Sequence, residues 1–155
     1  MKKQDNTRIM GRFRFRVFDP ERRLLREWTV PNMVVNTGLA WIAGALSGDV
    51  ADPSLAKYIG IGTGTTAAAA DDTALETEVE SRATGTQSRI TTDTTDDTYK
   101  CVGEITMTSS RSITEVGIFT DATAGTLFSR SVFPAEVVGS GNSLEVTYEC
   151  DIDRP

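Results

Sequence analysis

Arg12-Phe13-Arg14-Phe15-Arg16-Val17-Phe18 alternates without interruption: Phe13, Phe15 and Val17 take one side, Arg12, Arg14 and Arg16 the other. A period of two is that of a strand with one face in a core and the other in water. The same period returns near the far end of the chain. There Leu144, Val146, Tyr148, Cys150 and Ile152 point in, and Glu145, Thr147, Glu149 and Asp151 point out. These two stretches set the fold class as mainly β.

Between them the signals are mixed. Asp19-Pro20-Glu21-Arg22 is a turn, with Pro suited to its second position. Leu24–Val30 returns as the second strand of a hairpin, and Pro31 stops it. Leu39, Ile42, Ala43 and Leu46 fall at i, i+3, i+4 and i+7, which predicts a short α-helix over residues 37–47 with that stripe as its apolar face. Asn36 or Thr37 can cap its start, Gly38 lets its first turn approach the sheet, and Gly48 can close its end. Lys57–Gly62 reads as a short buried strand and Thr63–Ala70 as a loop. Thr73-Ala-Leu-Glu76 matches a capping box, which predicts one helical turn near residues 74–80. Thr84–Asp97 is rich in Thr and Asp, with a weak strand at Ser88–Thr92.

The C-terminal half is a run of strands. Tyr99, Cys101, Gly103, Ile105 and Met107 share one face of the first. Ser112–Thr120 and Thr126–Phe133 follow, separated by a turn at Asp121–Gly125, and Gly139–Asn142 is a further turn. Seven to nine strands with turn signals at intervals of ~10 residues predict an antiparallel β-sandwich, jelly-roll-like or Ig-like. Residues 1–155 read as a single domain with a basic N-terminal arm or hairpin at residues 1–30.

Composition narrows the function. No apolar run approaches the ~20 residues that span a membrane, and no apolar stretch follows Lys2 and Lys3, so synthesis and assembly in the cytoplasm are expected. Residues 1–30 hold nine Lys or Arg against four Asp or Glu, a net of +5, whereas the remainder holds seven against eighteen, a net of −11. One reading is a docking arm that binds an acidic neighbour through Arg8, Arg12, Arg14, Arg16, Arg22 and Arg23, and whose removal leaves a folded monomer. The other is a solvated strand face. Nucleic acid is a poorer partner, because the chain as a whole carries −6. The absence of histidine removes His-based triads and bases, and two cysteines are too few for an all-Cys zinc site.

Three further groups bear on chemistry. Gly60-Ile-Gly62-Thr-Gly64 lacks both the P-loop lysine and the dinucleotide spacing, and reads as a tight turn needing positive φ. Asp71, Asp72, Asp93, Asp96 and Asp97 have no EF-hand spacing and no apolar setting, so they read as solvated loop acids and not as a calcium site or a glycosidase pair. Cys101 and Cys150 lie on inward faces, either bridged across the sheets or as two buried thiols. No cofactor or metal is implied.

Taken in order, the pieces resemble a family of small structural proteins of tailed-bacteriophage particles, variously described as head-decoration (cement), neck or tail-fibre proteins. The resemblance rests on the hairpin Phe13–Trp28 and on Pro31-Asn32-Met-Val-Val-Asn36-Thr-Gly38-Leu-Ala. It continues through Tyr58-Ile-Gly60-Ile-Gly62-Thr-Gly64, then Asp72-Thr-Ala-Leu75-Glu76 with the later Arg82. It closes with Ile113-Thr-Glu115-Val-Gly117-Ile-Phe119, Gly125-Thr-Leu127-Phe-Ser-Arg130 and the last alternating strand. It implies a structural role with no catalytic residues. Glu115 interrupts an apolar strand, so it either faces solvent at an edge or pairs with an arginine such as Arg82 or Arg130.

The expected function is therefore a virion component, a capsid decoration protein forming a trimer or dimer on the major capsid protein. A neck or tail adaptor, or a tail-fibre-attachment protein, is the alternative. A depolymerase or wall hydrolase lacks its acid pair. A host-surface glycan binder lacks exposed aromatics, since Trp28 and Trp41 fall in ordered elements. Neither nucleic acid nor membrane is an expected partner.

Overall fold

In the computed structural model, which describes residues 7–153, the first alternating stretch becomes β1 (Arg8–Phe18). It pairs along its whole length with the last, β10 (Ser143–Asp153), placing Phe13 opposite Tyr148 and Phe15 opposite Val146. β2 (Leu24–Pro31) returns on the other side of β1. β7 (Thr98–Thr106) and β6 (Thr86–Ile90) complete a five-stranded sheet in the order β2-β1-β10-β7-β6. The second sheet comprises β3 (Met33–Val34), β9 (Leu127–Val138), β8 (Arg111–Phe119), β4 (Tyr58–Gly62) and β5 (Glu78–Thr84), in that order. Every pairing is antiparallel. The two sheets enclose one core, so the chain is an antiparallel β-sandwich with a single α-helix, α1 (Asn36–Ser47), among the described residues.

The core follows from the alternation. Phe13 and Phe15 are fully buried, and burial of each contributes ~1.5–3 kcal/mol. Phe15 stacks on Trp28 with ring centroids 4.7 Å apart, and Phe13 lies 4.8 Å from Tyr148. Of the five inward positions expected in β10, Leu144, Val146, Tyr148 and Cys150 are buried, while Ile152 at the strand end is 51% exposed.

The hairpin is thus not a detachable arm. β1 lies between β2 and β10 and supplies core residues, so removing residues 1–30 would open the sandwich. Its arginines find acids in the same chain: Arg12 meets Glu149 at 2.6 Å, Arg16 meets Glu145 at 2.5 Å, and Arg22 meets Glu104 at 2.8 Å. Arg23 folds back on Asp19 at 2.7 Å. Arg14 stands opposite Thr147 in the middle of that face, and Arg8 is exposed at the strand start. The acidic neighbour foreseen for the basic strand is largely its own β10 and β7. Lys2 and Lys3 lie outside the described residues.

Three expectations are corrected. The cap of α1 is Val35, with no side-chain cap: Asn36 is already helical and gives its N–H to Ala70 O, while Thr37 Oγ1 bonds Leu127 O. The inner face of α1 is Gly38, Trp41, Ile42 and Ala45, rotated by about 100° from the expected stripe, and Leu39, Ala43 and Leu46 face outward. A residue with no side chain decides this: a methyl on Gly38 would overlap the carbonyl of Phe128, so only that edge of the helix can touch β9. Residues 74–80 form no helical turn. Asp72 and Glu76 bond elsewhere, and Glu78–Thr84 is strand β5. Of the two readings of the cysteines, that of two buried thiols is the one found: Cys101 and Cys150 occupy neighbouring strands of one sheet, where Cys101 opposes Tyr148 and Cys150 opposes Tyr99, and both are free and buried.

Candidate functional site: a buried carboxylate clasp

The outer face of the second sheet is not bare. Thr63–Thr77 crosses it, and Val35, Leu75, Phe119 and Leu127 form a small second core beneath that crossing. At the centre lies Glu115. A register irregularity in β8 between Ile113 and Glu115 turns its side chain to this outer face, where it is 0% exposed.

Its carboxylate is saturated. Oε1 accepts from the backbone N–H groups of Gly64 at 3.0 Å and Thr77 at 2.8 Å. Oε2 accepts from Glu76 N at 3.0 Å and from Arg130 Nε at 3.2 Å and Nη2 at 2.9 Å. Arg130, 2% exposed, spends its other donors on Asp72 Oδ2 at 2.6 Å and Thr66 O at 3.2 Å. Asp72 Oδ2 also accepts from Ala69 N, and the Glu76 carboxylate accepts from Thr66 N and Oγ1. One ion-pair network thus pins both ends of the Thr63–Thr77 crossing to β8 and β9.

The titration of these groups follows the contacts. Burial works against ionisation of Asp72, but the Ala69 N–H and the Arg130 guanidinium outweigh it and hold its carboxyl below the ordinary range. The two bonds from Thr66 lower Glu76. Burial opposes the charge on Arg130, yet bonds to Asp72 and Glu115 overcome it and raise its pKa further.

The glycine motif serves this clasp by lacking side chains. Gly60, Gly62 and Gly64 do not take positive φ, contrary to the tight turn expected of them; Gly60 and Gly62 are ordinary strand residues. A methyl on Gly62 would overlap Glu115 Oε1 and Thr77 O, and one on Gly64 would come within 2.6 Å of Glu115 Oε1. On Gly117 it would press on Leu127 and Leu75. Arg82, the other partner considered for Glu115, instead grips Glu78 at 2.6 Å and lies 3.4 Å from the centroid of Phe119.

The remaining acids separate. Asp97 closes its own loop by accepting from the N–H groups of Thr92, Asp93 and Thr94; the bond from Thr94 is the strongest cause that brings its pKa to about 2. Asp71 is exposed, and Asp96 lies 3.8 Å from Arg89. Asp93, with Asp151 and Asp153 of β10, brings a carboxylate oxygen within 4.8 Å of the others, a grouping that sequence spacing does not reveal. Burial, then repulsion from Asp97, Asp153 and Asp93, raises Asp151. Among the described residues no helix is long and apolar enough to cross a membrane.

Chemically, the clasp is closed. Five donors fill the lone pairs of Glu115, leaving none to take a proton from, or attack, a substrate. Nothing in the sequence ties Asp72 or Thr66 to Glu115; the signal is a carboxylate in an apolar strand and an arginine in the strand that follows the next turn. Comparisons with protein-family models, curated proteins and solved structures give no match to this chain.

Proposed function

We propose that this chain is a structural protein of a tailed-bacteriophage particle, a capsid decoration protein that binds other virion proteins and catalyses no reaction. The observation that supports this reading most is convergence. Gly60–Gly64, Asp72–Glu76, Glu115–Gly117 and Arg130, which carry much of the resemblance, are far apart in sequence yet meet around one buried carboxylate. Cooperation of these motifs in one architectural device supports reading them together and not as a chance collection. A buried, fully bonded ion pair is suited to fixing a unique surface, which is what a protein that fits onto a lattice of neighbours requires.

The test is negative-stain imaging of particles labelled with an antibody to this chain. Label distributed over the head is the expected result. Label confined to the neck or tail assigns the adaptor role instead, and unlabelled particles reject the virion reading.

A further inference from the structure

Among the described residues, the outward face of α1 has no partner. Leu46 is 87% exposed and Leu39 46%, and Ala40, Ala43 and Ser47 complete the same exposed face. A quarter of the chain is charged, yet the twelve residues of α1 include no charged one. Ala43 stands at the middle of the face, with Leu39 and Leu46 on either side at i−4 and i+3. Small residues at a centre let two helices approach closely, and flanking leucines fill the grooves beside them.

We propose that this face binds a second copy of itself, α1 against α1 in antiparallel orientation about a two-fold axis beside Ala43, at the level between Ile42 and Ala43. That arrangement sets Leu39 against the partner's Leu46 and the converse, as an isologous interface requires. Charge also favours it. The N-terminus of α1 has no side-chain cap and no acidic residue in its first turn, and no basic residue lies in its last turn. Antiparallel pairing brings Asp49, just beyond the C-terminus of one helix and held there by the Ser47 hydroxyl, toward the N-terminus of the other, where Ala70 O takes the Asn36 N–H and no side chain caps the turn. There a carboxylate complements the positive end of the helix dipole, and the two dipoles oppose. A parallel pairing would stack like ends. On the first sheet the exposed apolar residues, Met10, Leu24, Leu25 and Ile152, each 51–53% exposed, stand on strands that also carry paired arginines and acids, whereas the face of α1 carries no charge.

The inference deepens, and rests on, the reading of the chain as a self-associating virion protein. It is measured on the purified chain, apart from particles, so either can fail alone. The helix is about 18 Å long, a small patch, so isolated pairs are weak and become effective when many copies sit side by side. Sedimentation equilibrium of the full chain should show a monomer–dimer exchange in the high micromolar range. Leu46→Asp appears twice in the interface and should weaken association on the order of 100-fold without changing the circular dichroism spectrum. Ala43→Cys should form a disulfide-linked dimer on mild oxidation, because the two copies meet at the axis; Ser88→Cys, exposed on the other sheet, should not. A chain still monomeric at about 1 mM overturns the proposal. So does a dimer that Leu46→Asp leaves intact, or one in which Ala43→Cys fails to cross-link.

Discussion

Glu115 shows how one residue holds a surface in place. Stripping a carboxylate of water costs several kcal/mol, and here the return comes from three loop N–H groups and Arg130. Removing it leaves a buried guanidinium with Asp72 as its one remaining ion-pair partner and Thr66 O as a neutral acceptor, and it orphans three N–H groups. Glu115→Ala should therefore cost about 3–5 kcal/mol in urea unfolding, and Glu115→Gln also a large part of that, since its amide presents donors to donors. The glycines make a sharper contrast. Gly48→Ala meets no neighbour and suffers only from φ = +81°, so it should cost about 1 kcal/mol. Gly62→Ala drives a methyl into Glu115 and Thr77 and should cost about 3 kcal/mol. Equal costs would mean that the motif serves backbone conformation and not space. Burial pushes the Cys101 thiol up to about 11 and also raises Cys150. Both thiols should resist a thiol reagent in the native protein and react as two equivalents once it is unfolded without reductant; no reactive thiol after unfolding would indicate a bridge.

At the scale of elements, alternation made β1, β7 and β10 legible, because each has one face in the core and one in water. β5 was not legible. Glu80 in its middle takes φ = +60°, and the pairing with β4 slips there, so Glu78–Thr84 never alternates cleanly while Thr73 and Glu76 imitate a helix start. α1 was located within a residue, but its orientation was not, since Leu39, Trp41, Ile42, Ala45 and Leu46 leave apolar groups on every side. The glycine that turned the helix has no side chain to mark a face. The clasp itself was half legible: an odd carboxylate called for an arginine, yet nothing in the spacing announced Asp72 or the loop N–H groups. The hairpin carries a consequence for truncation. Deleting residues 1–30 should abolish cooperative unfolding, whereas Arg12→Ala, losing an exposed pair, should cost under about 1 kcal/mol. The Thr91–Asp97 loop sets an acid response. Asp97 binds its proton more weakly folded than unfolded, so its contribution is present above its ordinary value of 3.8 and is lost as pH falls toward 2. Protonation of the raised Asp151 opposes that loss. Stability measured by urea unfolding should decline across this window, and Asp97→Asn should flatten the decline; an unchanged slope would show that the loop bonds are not coupled to folding.

For the molecule as a whole, the charges divide the work. The first sheet presents a face on which arginines of the β1–β2 hairpin and acids of β10 and β7 cancel, whereas the second sheet is covered by its clasped crossing and flanked by the uncharged α1 with its exposed Leu39 and Leu46. The proposed contact through α1 draws on that uncharged face. Salt should accordingly have little effect on its self-association, which rests on apolar contact more than on its basic strand. The most direct measurement is the copy number of this chain, by quantitative mass spectrometry, in particles purified on a density gradient and assembled from the genome that encodes it. A decoration protein is predicted to be present at a fixed, near-stoichiometric ratio to the major capsid protein; absence of the chain from those particles would contradict its assignment to the virion.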